Sequence, residues 1–313
     1  MSYNPYTQTG LFSKEPHLYS NLRKPGIQSL DRARRSPART LVEGEMASYT
    51  ILGATGNGGT ALLNLLLETT DARIKVYCRN QDKLVRLVPA ARNNPRVEVF
   101  TGSITDVDLF AKALEGSRAA FLVASTNDNI PGCHISQDLA RTVIAALERK
   151  KSEKEYAIPR LVLLSSATID PWISRKSPWV NAIVRRSAWH VYHDLELAEA
   201  FLRQHEDWAP CVYIKPGGLS VDVQRGHRLT LDEEESFVSY ADIAAGMVEV
   251  ADSGKGEWNN KNVGVVNANG KARFPAGTPR CIVLGLLRFY FPWLHAHLPT
   301  GAGPARDAGG VCG

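Results

Sequence analysis

The 313-residue chain lacks any C-x-x-C pair, and its five cysteines are scattered (Cys78, Cys133, Cys211, Cys281 and Cys312). An odd, dispersed set excludes a disulfide framework or a cysteine-based zinc site and points to a reducing compartment. No apolar run approaches the ~18 residues that a membrane-spanning helix needs. The N-terminus has no apolar secretory core, so a cytoplasmic protein without a membrane partner is expected. Strong charge of one sign is also missing. The net charge is +5, and residues 1–45 supply +3 of it through Lys14, Arg23, Lys24, Arg32, Arg34, Arg35 and Arg39 against Glu15, Asp31, Glu43 and Glu45. The remaining body is nearly neutral, which argues against nucleic acid as a partner. No metal-ligating set stands out: Asp232–Glu235 is a run of consecutive carboxylates pointing in different directions, read as a solvated acidic turn.

What is present is an alternation of short apolar runs and amphipathic stretches from Tyr49 onward. Strands are expected at 49–52, 73–78, 97–100, 119–123, 161–164 and 211–214. Helices are expected at 59–68, 81–87, 107–114, 136–149 and 189–205, with a loop and helix over 237–251. Such alternation predicts parallel strands joined by crossover helices, hence an α/β doubly wound sheet with ligands beyond the carboxyl ends of its strands. Residues 1–45 mix Pro, Ser, Gly and Arg without periodicity and are read as a disordered leader. Residues 46–300 are read as the dinucleotide-binding domain, with C-terminal substrate-side elements that include an aromatic helical piece over 284–298. Residues 301–313 are read as a flexible tail.

The first strand runs into Gly53-Ala54-Thr55-Gly56-Asn57-Gly58-Gly59 and then a Leu-rich helix. Glycines at 53, 56 and 59 suit a tight turn, a close backbone approach to phosphate and close helix–strand packing. The helix start aims N–H groups and a positive dipole end at a pyrophosphate, with Thr55, Asn57 and Gly58 able to add donors. The second strand ends in Arg79-Asn80, where an NAD-selective protein places a carboxylate. Arginine suits a 2′-phosphate, so NADP(H) is the expected cofactor. Further strand-end turns line the same edge: Ser103 and Ile104 beside adenine, Val123, Ala124 and Ser125 beside a ribose, Ser165 after the fifth strand as a further cofactor contact with Ser166 next to it, and Lys215-Pro216-Gly217-Gly218 flanking the nicotinamide.

Taken in order, Gly53–Gly59, Arg79-Asn80, Gly102–Asp106, Ser165-Ser166, Lys215–Gly218 and Ser239–Ala244 resemble the atypical branch of the short-chain dehydrogenase/reductase superfamily, a Rossmann-type fold. The stretches 126–132, 164–170, 226–235 and 291–295 are similar to the fungal averufin-oxidase-like family of NAD(P)-binding oxidoreductases. That resemblance covers roughly residues 46–299. It implies a modification step on an aromatic polyketide of the anthraquinone or xanthone type, in secondary metabolism.

One departure stands against that pattern. None of the ten tyrosines is followed four residues later by lysine; Tyr192 meets Glu196 at that spacing. In the superfamily the lysine lowers the tyrosine pKa, whereas a nearby carboxylate raises it. The candidate catalytic residues are therefore Tyr192, His193 and Ser166, with Asp194, His190, His134 and Lys215 nearby in the pattern. Asp242 is expected to cap or brace the fold. Three functions stay open: an NADP(H)-dependent oxidoreductase, a redox-neutral isomerase, dehydratase or cyclase, and a non-catalytic dinucleotide sensor.

Overall fold

The computed structural model describes residues 47–153, 156–174, 176–254 and 256–300. The expected leader and tail lie outside the described residues. The first four strands are β1 (Ser48–Leu52), β2 (Arg73–Cys78), β3 (Val97–Thr101) and β4 (Ala119–Leu122); β5 (Arg160–Leu164) and β6 (Cys211–Ile214) follow. Their crossovers are α1 (Asn57–Thr69), α2 (Gln81–Leu87), α3 (Val107–Leu114), α4 (Ile135–Lys151), and α5 (Pro178–Ser187) with α6 (Trp189–Arg203). Beyond β6 come β7 (Leu219–Ser220), β8 (His227–Thr230), β9 (Val238–Ser239), α7 (Tyr240–Asp252), β10 (Asn262–Asn267) and α8 (Thr278–Tyr290).

The main sheet has the order β3-β2-β1-β4-β5-β6-β10-β8. All neighbours pair in parallel except β10 with β8, which is antiparallel. This is the doubly wound arrangement expected, and its strand order reverses between β1 and β4, where such sheets open a crevice.

Alternation along each strand divides the core into two layers. Ile51, Ile74, Val76 and Phe121 face α1, α2 and α7 through Leu62, Leu66, Leu84, Ile243 and Met247. Leu52, Leu122, Leu161 and Leu163 face α3, α4 and α6 through Phe110, Leu114, Leu139, Val143, Ala198 and Leu202. Each fully buried Leu, Ile, Val, Phe or Met among these contributes roughly 1.5–3 kcal/mol. Strands covered on both faces read as continuous apolar runs, which is why β1 to β6 were visible in the sequence.

Besides the two-residue strands β7 and β9, three elements depart from the sequence expectation. β10 carries two asparagines and Gly264, and a Cβ on that glycine would meet the Glu233 carbonyl oxygen at 2.4 Å. β8 is an edge strand of mixed burial, and α5 is largely surface. Among the described residues no disulfide forms: Cys78, Cys133 and Cys211 are buried thiols and Cys281 an exposed one. Among the described residues no helix is long and apolar enough to cross a membrane.

Candidate functional site

The turn after β1 is built by backbone contacts that only glycine permits. Gly53 takes φ +106°, and a Cβ there would meet the Ala124 backbone nitrogen at 2.6 Å. A Cβ on Gly59 would meet the Gly53 carbonyl oxygen at 2.3 Å, which locks α1 against the strand end. Gly56 differs. It takes φ −85° and ψ 168°, and its nearest neighbour to a Cβ is the Gly53 oxygen at 3.6 Å. No protein atom demands a glycine there. Gly56 is also the N-cap of α1, makes no side-chain cap, and is followed by no acidic residue in the first turn. An extended, side-chain-free N-cap leaves the first N–H groups of α1 to an anionic ligand, so this loop fits a pyrophosphate. Asn57 is exposed, and its side chain shares a hydrogen bond with Tyr240 at the start of α7, whose phenol burial pushes upward. Thr55 is half-buried and Gly58 buried beneath Leu164 of β5.

Arg79 and Asn80 follow β2. Asn80 caps α2, accepting the Lys83 N–H at 2.8 Å. Arg79 is exposed and has no ion pair or side-chain hydrogen bond among the described residues. The turn after β3 is tied to β2 by the Tyr77 hydroxyl, which donates to the Ser103 carbonyl at 2.7 Å. Ser103 shares a further hydroxyl contact with Thr105 at 2.9 Å, and Ile104 packs half-buried on the α3 layer. Asp106 caps α3, accepting the Leu109 N–H at 3.0 Å. After β4, Val123 is buried, Ala124 abuts Gly53, and Ser125 is exposed.

The loop after β4 ties α6 to α8. Asn129 is buried; it donates to the Gly285 carbonyl of α8 at 2.9 Å and accepts the His190 N–H of α6 at 2.8 Å. Asp194 is also buried, and its carboxylate accepts the N–H groups of Ser136 at 2.7 Å and Gln137 at 3.1 Å. The N-cap of α4, His134, supplies no side-chain cap, so Asp194 caps that helix from α6. Asp194 is therefore a structural cap, and His134 is exposed and turned to Asp138 at 2.6 Å. The aromatic piece forms α8 and a 3-10 turn over Pro292–His297; α8 packs on α5, where a Cβ on Gly285 would overlap the Ser187 carbonyl. Trp293, Tyr290 and Phe291 of this piece are exposed.

At the ends of β5 and β6 the structure assembles a buried charged trio that the sequence did not reveal. Ser165 Oγ donates to Glu199 Oε1 of α6, and Lys215 Nζ donates to the same oxygen at 2.5 Å. All three residues are more than nine-tenths buried. Lys215 is a candidate from its place at a strand end; Glu199 carries no signal in the sequence, because only the crossing of α6 over the sheet brings it to Ser165. The next serine does different work: Ser166 Oγ caps the 3-10 turn Ala167–Ile169 by accepting the Thr168 N–H at 3.2 Å. Pro216 is buried and its carbonyl accepts the Ala167 N–H at 2.8 Å. Gly217 is covered by the 234–236 segment, with a Cβ meeting the Glu235 carbonyl oxygen at 2.3 Å.

Tyr192 lies seven residues before Glu199, on the same face of α6 and about 10 Å nearer the helix start. It is half-buried. His193 is exposed, stacked on Trp189 with ring centroids 5.9 Å apart and 3.8 Å from Glu196. The structure brings Tyr192 and Ser165 to one side of the sheet and leaves His193 on the outer surface of α6.

The acidic turn is not uniformly solvated. Arg228 pairs with Glu233 at 2.5 Å and Glu235 accepts the Asn267 N–H at 2.8 Å, but Glu234 is buried against Lys176. Burial, with a cation supplied by the β5 loop, overrides the solvated face that a charge run suggests. No cluster of three or more metal-ligating side chains occurs among the described residues. Asp242 braces the fold, accepting the Gly226 N–H at 2.8 Å and the Ser239 hydroxyl at 2.7 Å. A cavity of about 510 Å³ is lined by Asp170, Trp172, Arg203, Leu231 and Lys261 among others; none of the expected site residues lines it.

Comparison with known proteins agrees with this geometry. The family described as NAD(P)H-binding matches residues 53–254. An oxidoreductase of Pestalotiopsis microspora is 56% identical over 263 residues, covering 83% of this chain and 100% of that protein. An oxidoreductase of Paecilomyces divaricatus is 52% identical over 262 residues, covering 82% and 100%. Among solved structures, a short-chain dehydrogenase/reductase from Veillonella parvula in complex with NADP superposes with a TM-score of 0.55 at 18% identity, covering 74% of this chain and 100% of that one. That likeness is one of fold.

Proposed function

Because the chain belongs to the NAD(P)H-binding family and is an oxidoreductase, we propose that it uses NADP(H) to modify an aromatic polyketide of the anthraquinone or xanthone type in fungal secondary metabolism. Bound at the glycine loop, the nicotinamide dinucleotide supplies or accepts a hydride. The chain's own residues do the rest. Gly53, Thr55, Gly56, Asn57 and Gly58 hold the pyrophosphate on α1, and Arg79 with Asn80 holds the 2′-phosphate. Ser103 and Ile104 border the adenine, Val123, Ala124 and Ser125 the ribose, and Pro216 and Gly217 the nicotinamide. Tyr192 faces the substrate from α6, and the α5–α8 elements exclude water from it.

The observation carrying the cofactor reading is Arg79: a cation with no ion pair or side-chain hydrogen bond among the described residues at the end of β2, where a carboxylate would select NAD. The substrate reading rests on the stretches similar to the averufin-oxidase-like family. The absence of lysine four residues after Tyr192, with Glu196 there paired to Arg185 instead, favours a redox-neutral isomerase, dehydratase or cyclase as the second reading.

Incubation with NADPH and a panel of hydroxyanthraquinones, following absorbance and product mass together, tests this. Products shifted by two hydrogens with NADPH consumed are expected. Products of unchanged mass, or differing only by water, with no NADPH consumed would replace the first reading with the second.

A further inference from the structure

The cavity beside β6 and β10 is held in shape by one buried carboxylate. Asp170 is 3% exposed. Its Oδ1 accepts the N–H groups of Trp172 at 2.9 Å and Ile173 at 3.3 Å, and its Oδ2 accepts the Asn262 Nδ2–H at 2.6 Å. Asp170 therefore ties the loop after β5, which carries Trp172, to the start of β10, which Lys261 immediately precedes. Arg203, the last residue of α6, lines the same cavity about 16 Å along that helix from Tyr192.

The charges on the walls are not equally compensated. Asp170 is satisfied by the three donors above. Arg203 pairs with Glu206 at 3.1 Å and Glu199 at 3.9 Å, donates to Asn262 Oδ1 at 2.6 Å, and lies 4.0 Å from the Tyr213 ring centroid. Lys261 has no ion pair or side-chain hydrogen bond among the described residues; its Nζ lies 5.9 Å from the Trp258 ring centroid. The apolar walls are also uncovered. Trp172 is 83% exposed and Leu231 51% exposed, and the Trp172 indole makes no ring contact among the described residues. The volume of about 510 Å³ falls within the range of about 300–1,000 Å³ that small-molecule sites occupy.

We propose that this cavity binds a flat aromatic anion, at a site separate from the dinucleotide loop and from the α5–α8 elements. The ring stacks on the Trp172 indole against Leu231, and a carboxylate or phenolate on the ring pairs with Lys261. A solvent-facing indole offers one broad apolar face to a planar ring, and a single negative charge matches the one uncompensated ammonium of the cavity walls. This site stands independently of the oxidoreductase reading.

Calorimetric titration of the full chain, saturated with NADPH, with 2-naphthoate and with its uncharged counterpart 2-naphthamide tests it. The wild-type protein is expected to bind naphthoate about fivefold more tightly than naphthamide, as one partly exposed ion pair allows. Lys261→Met removes that preference without weakening naphthamide, and Lys261→Arg keeps it. Trp172→Ala weakens both ligands about tenfold. NADPH affinity stays within about twofold in all three variants, which also reports that they fold. Naphthoate affinity unchanged in both Lys261→Met and Trp172→Ala places the ligand elsewhere and overturns the site. Equal affinity of the wild-type protein for the two ligands, or no naphthoate binding, overturns it as well. A preference lost in Lys261→Arg as fully as in Lys261→Met overturns the ion pair. Naphthoate that binds only when NADPH is left out occupies the dinucleotide site and overturns the assignment.

Discussion

The carboxylate of Asp194, on α6, accepts the backbone N–H of Ser136 at 2.7 Å and so closes the N-terminus of α4 from a helix 58 residues away in sequence. It neutralises N–H groups that His134 leaves uncapped and places negative charge at the positive end of the α4 dipole. Asp194→Ala strands those buried donors and is expected to destabilise the fold by about 3 kcal/mol, read by urea denaturation. Asp194→Asn keeps acceptor geometry and recovers part of the loss. A destabilisation below about 0.5 kcal/mol for the alanine variant would refute the cap.

The two glycines that flank the start of α1 separate folding from binding. Gly59→Ala forces a Cβ onto the Gly53 carbonyl oxygen at 2.3 Å, and a loss of several degrees in Tm is expected. Gly56→Ala meets nothing closer than 3.6 Å and keeps an allowed backbone, so Tm should hold. Its methyl group stands where backbone approaches phosphate, and NADPH affinity should fall at least tenfold. Equal effects on both measurements in both variants would contradict this division.

Arg79→Asp replaces a charge-assisted phosphate contact by a carboxylate suited to ribose hydroxyls. NADPH affinity should drop about tenfold or more while NADH affinity changes little, measured by quenching of intrinsic fluorescence. Equal losses for the two cofactors would remove Arg79 from the 2′-phosphate.

His190 lies on α6 and His295 in the 3-10 turn after α8, and burial holds both imidazoles below their ordinary range. Arg288 reinforces this at His295, whose Nδ1 accepts the Arg288 Nε–H at 3.2 Å. For His190, the neighbouring His193 and His295 add to it. Below a pH of about 6.5 the unfolded chain binds protons that the folded chain resists. The stabilisation is therefore full above that value and is lost as pH falls through the folded pKa. Tm should decline between pH 7 and pH 5, and His295→Asn should flatten the decline. An unchanged slope in that variant would exclude His295.

Gly285 of α8 lies on the Ser187 carbonyl of α5 with no room for a methyl group. Gly285→Ala should displace α8, weaken 2-hydroxyanthraquinone binding several-fold and leave NADPH affinity unaltered. Loss of both affinities would mean that α8 supports the whole domain.

The six parallel strands β1 to β6 and five of their crossover helices were legible because strands buried on both faces need unbroken apolar runs, and crossover helices need one apolar stripe. The glycine turn was legible because steric exclusion is local: Gly53 and Gly59 touch residues of their own turn or the adjacent strand end. β10, β8 and α5 were not, since Asn262–Asn267 reads as polar and gains strand character only by pairing with β6 and β8. At the site, Tyr192 and His193 are adjacent in sequence but 100° apart around α6, so one faces the sheet and the other solvent.

By itself the sequence determined that this protein is a doubly wound α/β domain with a dinucleotide loop and an arginine in place of the NAD carboxylate, because each of those properties is carried by residues close together in the chain. Only the tertiary structure decided which side chains share a proton or a charge. Ser165, Glu199 and Lys215 are brought together by the packing of α6 across β5 and β6, and the burial that makes their ion pair consequential exists only once that layer has closed.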